Sequence, residues 1–95
     1  MTKTVRKFKQ DAIYYCFELY FKKEDGQLII GIQKAKCTDA KNDYFEIEDV
    51  VSGESDRQGF QYDNTETARE FCFSSLKKCK RAMLLKAFEG NIEWF

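Results

Sequence analysis

The sequence predicts an α+β domain: an antiparallel β-sheet of about four strands in a meander, with one long C-terminal helix packed on one face. Three observations carry this expectation. Apolar residues alternate from Ile13 to Phe21 and again from Leu28 to Ile32. An Asp25-Gly26 pair separates the two runs, and beyond residue 64 the apolar period changes from two to that of a helix.

In the first strand the odd positions Ile13, Tyr15, Phe17, Leu19 and Phe21 are all apolar, while Tyr14, Cys16, Glu18 and Tyr20 form a mixed opposite face. Asp-Gly is a preferred pair for a two-residue turn, and centring the hairpin on it sets Phe21 opposite Ile30 and Leu19 opposite Ile32. Tyr20 then falls opposite Gly31, where a ring can cover the missing side chain. Tyr44 to Val51 reads as a third strand, with Phe45, Ile47 and Val51 inward and Glu46 and Glu48 outward. A loop at 52–56 leads to a short fourth strand, Gln58 to Tyr62, whose pairing the pattern leaves open.

Asp63, Asn64 and Thr65 are good N-cap residues, so a helix is expected from about 65 to 89, with Gly90 as its stop. Ala68, Cys72, Leu76, Cys79, Met83 and Ala87 fall on one stripe that faces the sheet, with Phe71 and Ala82 beside it. Trp94 and Phe95 are expected to fold back over the helix or a sheet edge.

Ninety-five residues suit a single domain, 1–95, in which positions 1–10 form a basic arm (Lys3, Arg6, Lys7, Lys9) free to be flexible. The apolar run after that arm is broken by Glu18 and alternates as a strand does, unlike a secretory core. No stretch approaches the roughly 18 apolar residues of a membrane span, so no membrane partner is expected. A cytoplasmic location follows, in host cytoplasm if the source is viral, with Cys16, Cys37, Cys72 and Cys79 reduced. Cys72 and Cys79, on one predicted helix, would lie about 10 Å apart along its axis, too far to bond.

Chemistry is argued mainly by what is missing. The chain has no histidine, which removes the commonest general base and the usual nucleophile pairings. The cysteines do not form C-x-x-C pairs, so no metal site is expected, and no glycine-rich phosphate loop occurs. Glu46 and Glu48 sit on a solvated strand face with nothing to raise a pKa. No catalytic residue and no cofactor are therefore expected, and the chain is read as a non-enzyme.

Charge is balanced at 16 basic and 16 acidic residues yet segregated: residues 1–36 carry +4, residues 37–70 carry −7 and residues 71–95 carry +3. Asp39, Asp43, Glu46, Glu48, Asp49, Glu54 and Asp56 form the first candidate partner surface, suited to a protein with a basic face. Opposite the helix core stripe lie Phe73, Lys77, Lys80, Arg81, Leu84 and Phe88, a second candidate surface for a partner or a homodimer. The sheet face bearing Tyr14, Tyr20 and Tyr44 is a third.

These features favour a small non-catalytic protein-interaction module, an inhibitor that acts by occluding a basic or nucleic-acid-binding surface of a larger protein. In size and architecture alone the chain resembles the small acidic-faced α+β inhibitors of phage and mobile elements, anti-CRISPR proteins included. The alternative is nucleic-acid binding. The stretch Phe60, Gln61, Tyr62, Asp63, Asn64, Thr65, Glu66, followed by Thr67, Ala68, Arg69, Glu70, Phe71, is loosely similar to the sheet-plus-helix AP2-type arms of phage integrases. That resemblance implies a sheet laid in the major groove, but here the last two strands are mainly acidic and only the N-terminal arm and helix lysines supply cations.

Overall fold

The computed structural model describes residues 8–53, 57–90 and 92–95. Lys3, Arg6 and Lys7 of the basic arm, and Glu54 and Asp56 of the acidic set, lie outside the described residues. Strands β1 (Ile13–Phe21), β2 (Leu28–Asp39), β3 (Tyr44–Ser52) and β4 (Gly59–Gln61) follow one another, with a 3-10 turn at Ala40–Asn42 between β2 and β3. Helix α1 (Thr65–Phe71), strand β5 (Cys72–Phe73), helix α2 (Leu76–Glu89) and strand β6 (Glu93–Trp94) complete the chain. The α+β class holds, and the first four strands pair antiparallel in sequence order. The sheet is larger than a four-strand meander, however. Both β5, antiparallel, and β6, parallel, add to the free edge of β1 and make it a mixed sheet in the order β4-β3-β2-β1-β5, with β6 off that path.

The first hairpin forms where expected, but its loop is two residues longer. Lys22 N–H donates to the Gln27 carbonyl at 2.9 Å, and Gly26 N–H donates to the Lys22 carbonyl at 2.8 Å. Gln27 N–H goes instead to Asp25 Oδ1 at 2.9 Å, which removes a donor that a two-residue turn would need. Phe21 therefore faces Leu28 and Leu19 faces Ile30, and Gly31 lies opposite Glu18 rather than Tyr20. A slip of two keeps every side chain on its expected face, so the core survives the change of register.

Strands β2 and β3 pair with register shifts between Ile32 and Gln33, Lys34 and Ala35, and Cys37 and Asp39. Each shift adds local twist and re-aims the side chains beyond it. Phe45 is fully buried and Ile47 half-buried as expected, whereas Val51 is exposed: one shift, which skips Glu48, lies between Ile47 and Val51 and turns the half-buried Val50 inward in its place.

The single long helix expected over 65–89 is two helices separated by β5. Asn64 caps α1, its Oδ1 accepting from Thr67 N–H at 2.8 Å. The run Phe71-Cys72-Phe73-Ser74-Ser75 contains only weak helix formers, and β1 offers its unpaired edge beside it. Extended pairing wins over two residues, and Ser75 then caps α2 by accepting from Lys78 N–H at 3.2 Å. Gly90 ends α2 in the left-handed conformation, φ 77°.

Consecutive residues of β1 feed opposite faces of the sheet. Cys16 belongs to a cluster with Phe8, Ala35, Cys37, Phe45, Ala68 and Cys72. Phe17 belongs to a second cluster with Leu19, Ile32 and Cys79, against which Leu76, Met83 and Ala87 pack. The chain thus crosses from one face to the other at β5, with α1 feeding the first cluster and α2 the second. Phe71 packs against both clusters, 5.1 Å from the Phe17 ring and 6.0 Å from Tyr62. Phe8 closes the first cluster edge-on to Phe45 at 5.0 Å, so the end of the basic arm is part of the core.

Candidate functional site

The outer face of α2 is the most exposed apolar surface in the described molecule. At 100° per residue Lys77, Arg81, Leu84 and Phe88 point away from Cys79, which is buried on the sheet side. Leu84 is 63% exposed, Leu85 55% and Phe88 91%. The stripe is graded: Lys77, Lys78, Lys80 and Arg81 occupy its first half and the three large apolar residues its second. Lys86 leaves this face and lies over the Phe71 ring at 5.1 Å. Phe73, expected on the outer stripe, is instead on β5 and half-buried, 6.4 Å from Phe17 with the rings nearly parallel; the break in the helix turns it inward. Trp94 and Phe95 do not cover the stripe. Trp94 stacks on Phe21 at 4.8 Å, and Phe95 meets Tyr20 edge-on at 5.5 Å, at the edge of β1.

The acidic residues of the middle strands take several different roles. Asp39 caps the 3-10 turn, accepting from Asn42 N–H at 3.3 Å and from Asn42 Nδ2 at 2.8 Å. Asp43 is buried in the left-handed conformation, φ 53°, and both its carboxylate oxygens lie within hydrogen-bonding distance of the Thr65 hydroxyl, at 3.1 and 3.0 Å. Glu46, Glu48 and Asp49 are exposed. In the ladder Glu46 stands opposite Lys36 and Asp49 opposite Lys34, so the acidity there is partly offset across the strands. Among the tyrosines of the third candidate face, Tyr14 is packed edge-on to Phe8 at 4.9 Å, and its hydroxyl accepts from Lys9 N–H at 2.9 Å.

Sequence reasoning missed a polar cluster on the Cys16 side of the sheet. Gln33 is fully buried and donates from Nε2 to Glu18 Oε1 at 3.1 Å. Arg57 reaches in from the loop before β4, 3.1 Å from Glu18 Oε2 and 3.3 Å from Gln33 Oε1, with its guanidinium 4.5 Å from the centre of the Phe60 ring. One signal was available: Glu18 is a charge inside an otherwise apolar strand, and such a charge needs a partner when it is covered.

The thiols are placed for packing. Burial pushes Cys37 up to about 11, helped by the nearby Asp43, and pushes Cys79 up to about 12. Burial raises Cys16 further still, reinforced by its contact with Cys72. Tyr62 is likewise raised, first by burial and then by the adjacent Cys72 thiol, whose sulfur lies 3.6 Å from the tyrosine hydroxyl. Thiols held protonated in this way are poor nucleophiles. Among the described residues no group of three or more cysteine, aspartate or glutamate side chains is placed to hold a metal ion.

Among the described residues no helix is long and apolar enough to cross a membrane. Comparison with protein families, with curated proteins and with solved structures finds no match.

Proposed function

We propose that this domain is a non-catalytic protein-interaction module whose principal working surface is the outer face of α2, and that it acts by occluding a surface of a larger protein. The observation that carries this reading is Phe88, almost wholly exposed one helical turn beyond Leu84 and in line with Arg81 and Lys77. A large aromatic side chain beside aliphatic groups and an arginine is the composition of an interface anchor. Charge complementarity calls for a partner that sets an apolar pocket beside carboxylates.

A second surface is the exposed trio Glu46, Glu48 and Asp49 on β3, suited to a basic partner face. Two variants separate the surfaces. Leu84→Glu with Phe88→Glu removes the helix anchor, and Glu46→Lys with Glu48→Lys and Asp49→Lys reverses the strand. Capture from a host lysate should lose the same specific partner in the first variant and keep it in the second, with both retaining wild-type circular dichroism. Recovery of that partner by both variants alike would reject the helix face.

A further inference from the structure

We propose that Cys16 and Cys72 form a reversible disulfide-forming site, a covalent link across the β1–β5 ladder. The two residues are direct partners in that antiparallel pair, and both side chains belong to the same buried cluster. The backbone identifies which kind of pair this is. Cys72 N–H donates to the Ala68 carbonyl as the cap of α1, so it is not exchanged with Cys16, and Cys16/Cys72 is the non-hydrogen-bonded pair of the ladder. Such pairs bring their Cα atoms to about 4.5 Å with side chains close together, at the near end of the range that a disulfide spans. The other two cysteines are arranged differently. Cys37 lies on β2, where it is paired with Phe45 of β3, and Cys79 lies on α2 in the cluster on the opposite face of the sheet.

Access follows from topology. Both thiols are buried out of reach of a solvent-borne reagent, and burial holds the Cys16 thiol protonated, so the closed molecule does not react. Yet β5 is only two residues long and lies at the sheet edge, with β1 as its one strand partner among the described residues. Local opening of this edge exposes both sulfurs without unfolding the four-strand meander.

The oxidant is a low-molecular-weight disulfide. One cysteine, as thiolate, attacks a sulfur of that disulfide and expels one small thiolate, leaving a mixed disulfide on the protein. The second cysteine, as thiolate, then attacks the protein sulfur of the mixed disulfide and expels the other small thiolate. The two protons of the cysteines pass to the two leaving thiolates, so the protein loses two hydrogens and the small disulfide is reduced to two thiols. The product pins β5 to β1 and with it the crossing point between the two faces of the sheet.

The test uses the whole chain equilibrated with oxidised glutathione across a series of glutathione ratios. The expected result is an intact mass lower by two hydrogens, a non-reducing peptide map linking Cys16 to Cys72, and full reversal by dithiothreitol. Cys37→Ser and Cys79→Ser should retain the link, and Cys16→Ser should abolish it and leave a glutathione adduct on Cys72. The wild-type peptide map stands even where a serine variant fails to fold. A map that joins Cys72 to Cys37 or Cys79, or four free thiols after equilibration at the most oxidising ratio in sub-denaturing urea, overturns the proposal.

Discussion

Arg57 lies 3.1 Å from Glu18, a carboxylate whose side chain is only 10% exposed, and so ties the loop before β4 to the middle of β1. Gln33 completes the arrangement from β2. Three segments distant in sequence are joined through one guanidinium.

Removing that guanidinium should be costly. Arg57→Met takes a charge partner from Glu18 and an amide partner from Gln33, both of them covered. The expected loss is about 1–3 kcal/mol, below the figure for a fully buried pair because about a third of Arg57 faces water. Urea denaturation of the two proteins measures it, and a difference under about 0.5 kcal/mol would contradict a coupled cluster.

Alkaline pH should weaken the fold before it reacts with anything. Cys37 ionises at about 11 and Cys79 at about 12 in the folded chain, against an ordinary 9.0. The unfolded chain then loses those protons first, so stability is complete below about pH 9 and falls as pH rises toward 11 to 12. Each buried thiol contributes up to about 1.4 kcal/mol per pH unit within its window. Stability measured at pH 8, 9.5 and 10.5 should decline, and Cys37→Ala should flatten the decline relative to wild type.

Two glycines with nearly the same backbone should respond differently to alanine. Gly26 has φ 71° and open space around an added Cβ, so Gly26→Ala should cost about 1 kcal/mol for its left-handed conformation alone. Gly53 has φ 77°, and an added Cβ would stand 2.4 Å from the Ile30 carbonyl oxygen and 2.9 Å from Gly31 Cα, both backbone atoms. Gly53→Ala must move the end of β3 off β2 and should cost about 2 kcal/mol or more. Equal thermal midpoints for the two variants would contradict the close approach.

Phe88 and Phe45 should separate binding from folding. Phe88→Ser should leave stability within about 0.5 kcal/mol of wild type while abolishing partner capture, because the ring touches little of its own chain. Phe45→Ala should cost about 3–5 kcal/mol, since that ring is fully buried and packs against Phe8, Tyr14, Phe60 and Tyr62. Chemical denaturation checks both, and a destabilised Phe88→Ser would mean that the stripe serves the fold.

Much of the architecture is legible in the residues alone. The alternation of Phe17 and Leu19 against Cys16 and Glu18 predicts which side chains share a face, and the structure keeps that division. Ala68, Cys72 and Cys79 were expected in the core and are buried, and Gly90 was expected to stop the last helix and does. The inward position of Phe73 is not legible from a helical period, because the segment that carries it is extended and not helical. The clue was local: aromatic, cysteine and serine residues in succession, with Ser75 able to cap a new helix.

By itself the sequence determined the α+β class, the first hairpin with the division of its side chains between two faces, and the absence of histidine. Those properties arise from the period of neighbouring residues along the backbone and from composition, neither of which needs a distant partner. Only the tertiary structure decided the two-residue shift of the hairpin, the break of the helix at Cys72 and Phe73, the pairing of Glu18 with Arg57 and the contact of Asp43 with Thr65. Each of these depends on a hydrogen-bonding group or an open strand edge brought close by the fold, and unpaired polar groups and edges are satisfied by whatever lies nearest in space rather than in sequence.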